Sequence, residues 1–227
     1  MNDVRAHQRV NDILLGPLER PVLQWLARHM PSWMTPDILT LIGVMGAFVV
    51  VAGYGLSNLD RGYLWLASFG FFIHWFGDSL DGTLARYRHI ERPLYGFFVD
   101  HILDAFCEAI IFLALGLTPY VTFVNACLCL IAYLMLSIVV FVRTYVVGEF
   151  KISYGKLGPT EVRVIAILLN TSMFLFGKHT FRLGLGAARS LTLSVFDIPI
   201  LIITLLLLFY FFTTAYAQTR ELAERGE

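Results

Sequence analysis

A chain of 227 residues, 57% hydrophobic and 15% charged, is too apolar for an ordinary soluble domain and is expected to form one integral membrane domain. Lysine plus arginine balance aspartate plus glutamate at 17 each, so net charge recruits no nucleic acid. The three cysteines, Cys107, Cys127 and Cys129, sit in apolar runs, which excludes a disulfide framework and fits packed thiols rather than a zinc site.

Residues 1–34 are broken by charge every few positions and lack the uninterrupted apolar core of a cleavable signal peptide. Within them Ile13, Leu14, Leu15, Leu18, Val22, Leu23, Trp25, Leu26 and Met30 recur with roughly helical spacing among Arg5, Arg9, Arg20 and Arg28. That pattern predicts an amphipathic juxtamembrane helix lying on the bilayer, or capping the cytosolic ends of a bundle. Thr35-Pro36-Asp37 starts a new helix, with Thr35 or Asp37 as cap and the proline in the first turn. Spans are expected at 38–56, 63–77 with an extension to about 86, 95–117, 121–147, 162–176 and 198–216, each near the length that crosses a bilayer. Residues 149–159 read as a polar loop, 178–196 as a glycine-containing connection with an amphipathic helix, and 218–227 as a polar tail. The expected fold is therefore all-α and polytopic: an interfacial segment (1–34), a six-helix transmembrane domain (35–217) and the tail.

Six crossings return both termini to one side. Eleven basic residues flank that side (Arg5, Arg9, Arg20, Arg28, Arg86, Arg88, Arg92, Lys151, Lys156, Arg220 and Arg225), against four opposite (Arg61, Lys178, Arg182 and Arg189). The positive-inside rule then makes the termini cytoplasmic, in a membrane of the bacterial inner-membrane type.

The same side carries an unusual set of acids. Asp78 and Asp81 stand three apart at the end of the second expected span; Asp100 and Asp104 stand four apart at the beginning of the third, with Glu108 next on their stripe. On helices each pair projects from one face. Four carboxylates beside a bilayer are costly unless a cation sits among them, and a divalent metal suits all-oxygen donors.

The run Asp78, Asp81-Gly82, Ala85-Arg86, Gly96, Asp100, Asp104 fills D-x-x-D-G-x-x-A-R followed by G-x-x-x-D-x-x-x-D, and so resembles the signature of the CDP-alcohol phosphotransferases. The spacer from Tyr87 to Tyr95 is one residue longer than is usual there. The resemblance implies a membrane enzyme of phospholipid biosynthesis that moves a substituted phosphate from a CDP-alcohol to a second alcohol, releases CMP, uses two Mg²⁺ or Mn²⁺ ions and forms a homodimer. Carried over position by position, Asp78, Asp81 and Asp100 are the principal metal ligands. Asp104 is a ligand of the second metal and the catalytic base. Gly82 and Ala85 let the nucleotide approach the helix, and Arg86 contacts the donor. The stretch Thr35-Pro36-Asp37-Ile38-Leu39-Thr40 resembles the family's Pro-Asn-x-x-Thr at the first span, which makes Asp37 and Thr40 donor contacts, with Asp37 replacing the asparagine.

Arg143 and Arg163 are arginines inside spans, where a guanidinium faces a polar cavity or an anion, and they are the candidates for holding the acceptor. Ion pairing with Glu108, Glu149 or Glu161 is their alternative role. The first reading of the substrates is CDP-diacylglycerol with a small polar acceptor. The second, hinted at by Gly158-Pro159-Thr160-Glu161, is a CDP-aminoalcohol with diacylglycerol. From other classes, a cation-coupled transporter also uses paired acids but spreads polar groups through the bilayer depth, and a noncatalytic scaffold has no need of all four aspartates.

Overall fold

The computed structural model describes residues 8–10, 14–147, 149–151, 158–184 and 190–226. In chain order these form β1 (Gln8–Val10), α1 (Gly16–His29), α2 (Pro36–Leu56), α3 (Tyr63–Arg88), α4 (Pro93–Gly116), α5 (Phe123–Val147), β2 (Glu149–Lys151), α6 (Pro159–Phe176), β3 (Thr180–Gly184), β4 (Ser190–Ser194) and α7 (Asp197–Arg225). Arg5, Lys156 and Arg189, counted in the charge asymmetry, lie outside the described residues.

Length and composition together qualify four of the described helices as membrane spans, α2, α5, α6 and α7. The sequence-based count of six included α3 and α4; these have the length of a span, at 26 and 24 residues, but carry the acids. Large apolar side chains such as Phe69, Phe72, Ile102, Leu128, Ile138 and Phe209 are exposed around the bundle, as a lipid-facing surface requires. The chain is an integral membrane protein.

Three expectations are corrected. Residues 180–194 form an antiparallel hairpin, with Thr180 opposite Ser194 and Leu183 opposite Leu191, where an amphipathic helix was expected. Apolar Phe181 and Leu183 alternate with polar neighbours, a period of two that suits a strand rather than a helix. The polar tail is not separate: α7 continues through it to Arg225, with Arg220 Nε donating to Glu224 Oε1 one turn on at 2.8 Å. Finally, the loop at 149–159 and the N-terminal segment each contribute a short strand, β1 pairing in parallel with β2.

Backbone contact between α2 and α3 positions the site. A Cβ at Gly77 of α3 would collide with the backbone of Gly43 and the carbonyl oxygen of Leu39, and one at Gly46 would collide with the backbone of His74. Small residues facing each other are how helices approach closely in a membrane. Beyond α3 the turn into α4 is closed by His89 in the left-handed region (φ 57), with Ile90 N donating to Ala85 O at 3.0 Å. This helix-ending motif usually takes glycine. The Arg88 guanidinium donates to the carbonyls of Met30 (3.0 Å), Pro31 (2.7 Å) and Met34 (2.5 Å), fixing the α1–α2 connection to the end of α3.

Two apolar clusters flank the polar end. Leu23 and Ala27 of α1 pack on Leu39, Leu80 and Leu84 of α2 and α3, while Tyr54, Leu64, Phe71, Met173 and Ile200 belong to a larger cluster. Within the larger cluster the Tyr54 hydroxyl donates to Asn170 Oδ1 (3.0 Å) and Asn170 Nδ2 donates to Ser68 Oγ (3.2 Å), joining α2, α6 and α3. Helices α5 and α7 run parallel and are pinned at both ends, by Asn125 Nδ2 donating to Asp197 Oδ1 (3.1 Å) and Arg143 Nε donating to Gln218 Oε1 (2.8 Å).

Candidate active site

The second half of α3 and the first half of α4 are joined by a short turn, so the Asp78/Asp81 pair and the Asp100/Asp104 pair come to the same end of the bundle. All four line one cavity of about 440 Å³. Gly82 and Arg86 of α3, Arg163 of α6 and four residues of α1 are also in its wall. Five carboxylates, counting Glu19, face three guanidiniums there, those of Arg20, Arg86 and Arg163.

Each acid has a distinct setting. Asp78 Oδ2 accepts from Arg163 Nη2 at 2.5 Å, in a pair whose side chains are 25% and 10% exposed. Asp104 lies beside Asp78 and is neighboured by Glu108, Arg163 and Asp100. Asp81 is buried; its Oδ2 accepts from Thr40 Oγ1 at 2.6 Å and its Oδ1 from the Gly82 amide at 2.5 Å. Arg163 has a second feature: its Nη1 is buried and has no hydrogen-bond partner among the described residues. Among the described residues no three side chains of His, Cys, Asp or Glu are gathered tightly enough to hold a metal ion. The four aspartates thus share a cavity, as expected, without forming a coordination cluster, and Arg163 supplies the positive charge at Asp78.

A smaller cavity of about 70 Å³ adjoins the first between α2, α3 and α4. It shares Asp81, Gly82 and Asp100 with the larger one and adds Asp37, Thr40, Ala85, Arg92, Tyr95 and Gly96. Asp37 is ion-paired with Arg92, whose guanidinium lies 4.0 Å from the centroid of the Tyr95 ring. The charge introduced at Asp37 is therefore balanced within the same pocket. Arg92 was given no role from the sequence, and its partner on α2 is far away in the chain.

The two acceptor candidates separate. Arg163 belongs to the large cavity, and its ion-pair partner among the described side chains is Asp78; the side chain of Glu149 lies outside the described residues. Arg143 lines neither cavity; its Nε donates to Gln218 Oε1 in the α5–α7 contact. Helical periodicity gave no warning of this, because it does not specify which neighbour an arginine's face will meet. The sequence reading also missed α1 as part of the site. Glu19, Arg20, Leu23 and Gln24 line the cavity, and the available signal was that they share a flank of α1 away from Leu18, Val22 and Trp25.

Comparison with known proteins agrees with this geometry. A family model described as CDP-alcohol phosphatidyltransferase matches residues 33–218. The chain is 29% identical over 175 residues to cholinephosphotransferase 1 of Gallus gallus, covering 71% of this chain and 50% of that protein. It is 37% identical over 86 residues to a phosphatidylinositol phosphate synthase of Cutibacterium acnes, covering 37% and 38%. With a CDP-diacylglycerol–serine O-phosphatidyltransferase of Encephalitozoon cuniculi it shares 27% identity over 205 residues, covering 80% and 49%. The matches thus span about half or less of the length of these relatives. The fold resembles the crystal structure of Mycobacterium tuberculosis phosphatidylinositol phosphate synthase with CDP-DAG bound, with a TM-score of 0.59 at 16% identity over 86% of this chain and 92% of that one.

Proposed function

The chain belongs to the CDP-alcohol phosphatidyltransferase family, and from that premise we propose that it transfers a substituted phosphate from a CDP-alcohol to the hydroxyl of a second alcohol, releasing CMP. The observation that carries this is the meeting of Asp78, Asp81, Asp100 and Asp104 with Gly82 and Arg86 around one cavity at one end of the bundle. A permeation path would instead distribute its acids along the bilayer depth.

The four aspartates are not drawn together into a coordination cluster here, but five carboxylates facing three guanidiniums leave an excess of hard oxygen donors and negative charge that dications would neutralise. Asp78, Asp81, Asp100 and Asp104 would hold two ions, Mg²⁺ or Mn²⁺. Bound there, these supply the positive charge that crowded phosphate oxygens need during transfer.

The remaining roles fall to the chain's own groups. The nucleotide takes the side of the smaller cavity, where Gly82 and Ala85 present little side chain and where Asp37 and Thr40 stand. Thr40 also holds Asp81 in place through its hydroxyl. Arg86, at the boundary, directs its guanidinium to the donor phosphates. Asp104 takes the proton of the attacking hydroxyl as its oxygen bonds to phosphorus, and the phosphorus–oxygen bond to CMP breaks on the opposite side. Arg163, whose Nη1 has no hydrogen-bond partner among the described residues, orients the acceptor alcohol.

The preferred donor is CDP-diacylglycerol; a CDP-aminoalcohol used with diacylglycerol is the other reading within the family. We place the site and both termini on the cytoplasmic face, where nucleotide-activated substrates are found, and the working unit is a homodimer.

The test is CMP release by the purified chain in Mn²⁺, with CDP-diacylglycerol or CDP-choline as donor and L-serine, sn-glycerol 3-phosphate, myo-inositol 1-phosphate or dioctanoylglycerol as acceptor. Release that needs both the metal and an alcohol is expected. Metal-dependent cation flux in proteoliposomes, without CMP release from any pair, overturns the reading.

A further inference from the structure

Helix α1 lies outside the residues that match the family model, so the signature assigns it nothing. It is nevertheless built into the site. Glu19 Oε1 accepts from Trp75 Nε1 of α3 at 2.7 Å and from Thr160 Oγ1 of α6 at 2.9 Å, and one carboxylate oxygen thereby ties three helices together. A second tie runs from the Leu15 amide to Glu161 Oε1, at 2.7 Å. Leu23 and Ala27 bury against α3 below these bonds. The opposite flank of α1 exposes Leu18 at 72%, Val22 at 47% and Trp25 at 58%, the composition of a helix lying in a membrane interface.

Held this way, α1 presents Arg20 and Gln24, one turn apart, to the large cavity. The partition of the two cavities says which substrate they meet. The smaller cavity reaches Asp81, Gly82 and Asp100 but neither Asp104, Arg163 nor any residue of α1. Asp104, the proposed base, lines the large cavity that α1 and α6 help to enclose and a pocket of about 10 Å³ between α2, α3 and α4, and of these two only the large cavity has room for an alcohol, so the hydroxyl that gives up its proton stands there.

We propose that α1 is the acceptor-side wall of the active site. Arg20 and Gln24 contact the alcohol acceptor, and Glu19 is the positioning residue that keeps them over the cavity. This rests on the transferase reading above.

Two measurements on the full-length chain in nanodiscs test it. In the first, Gln24→Cys is labelled with a maleimide in the presence of CDP, L-serine, sn-glycerol 3-phosphate, myo-inositol 1-phosphate or dioctanoylglycerol, each alone in Mn²⁺. Slower labelling with at least one of the four alcohols, and unchanged labelling with CDP, is expected. Protection by CDP alone, by CDP and the alcohols alike, or by none of the compounds overturns the assignment. This experiment reads occupancy whether or not CMP is released, so failure of the transferase reading is recognised separately by its own assay.

In the second, the productive pair is used for kinetics. Arg20→Ala and Gln24→Ala are expected to raise KM for the alcohol about tenfold while KM for the CDP-linked donor changes less than twofold. Glu19→Ala should show the same split, and Glu19→Gln, whose amide oxygen still accepts from Trp75 and Thr160, should restore it. Equal effects on both substrates, or a loss in kcat alone, overturn the proposal.

Discussion

Replacing Gly77 by alanine tests whether close helix approach sets the catalytic geometry. The added Cβ would stand 2.6 Å from Gly43 Cα, whereas non-bonded carbons rest at about 3.5–4.0 Å. Its other neighbours, the Gly43 amide and the Leu39 carbonyl, are also backbone and cannot rotate away. Helices α2 and α3 must therefore separate by about 1 Å, or tilt to the same effect. Gly77 immediately precedes Asp78, and Leu39 immediately precedes Thr40, whose hydroxyl holds Asp81 at 2.6 Å. A misplacement of about 1 Å at a reacting centre costs about 10²-fold in rate, or about 2.7 kcal/mol of transition-state stabilisation. Metal-dependent CMP release by Gly77→Ala should fall by about that factor, with a lower thermal midpoint. Gly55→Ala is the control: a Cβ there meets nothing within 4 Å, so turnover should hold and helix stability should rise by up to about 1 kcal/mol. Turnover of Gly77→Ala within twofold of the unsubstituted chain would refute the claim that this contact positions the acids.

Three further outcomes are expected. Asp104→Asn keeps the shape of the side chain and removes its capacity to take a proton, so CMP release should fall by about 10² to 10⁴-fold while the thermal midpoint is held or raised; unchanged turnover removes Asp104 as base. Arg163→Gln strands Asp78 and should destabilise the chain by about 3–5 kcal/mol, most of it recovered when Asp78→Asn is added; additive effects in this double-mutant cycle of unfolding would show that the pair is not coupled. Asp197→Ala leaves the Thr122 amide and hydroxyl, Asn125 Nδ2 and the Ser194 amide without the carboxylate they share, at about 1–3 kcal/mol for each buried group stranded. The α5–α7 end should therefore unfold at a lower midpoint, whereas KM values stay put; an unchanged midpoint would mean that water replaces the carboxylate without loss.

Much of this protein is legible in one dimension. Long apolar runs place the helices, because a backbone in hydrocarbon must satisfy its own hydrogen bonds. The three- and four-residue spacings of the aspartates make each pair share a face, because a helix turns every 3.6 residues. Typed positions at near-fixed spacing then suffice to identify the family. Periodicity names the residues on a face and stops there. What that face meets depends on helix rotation, axial register and contacts between residues far apart in the chain, and these arise only when the whole bundle packs. Arg163 and Arg143 look alike in the sequence, yet one closes on Asp78 and the other on Gln218. The hydroxyl of Thr40 reaches Asp81 because glycines on two helices let the backbones touch. Glu19 joins the site through Trp75 and Thr160, far along the chain, so local sequence could mark α1 as amphipathic while only tertiary packing could make it a wall of the cavity.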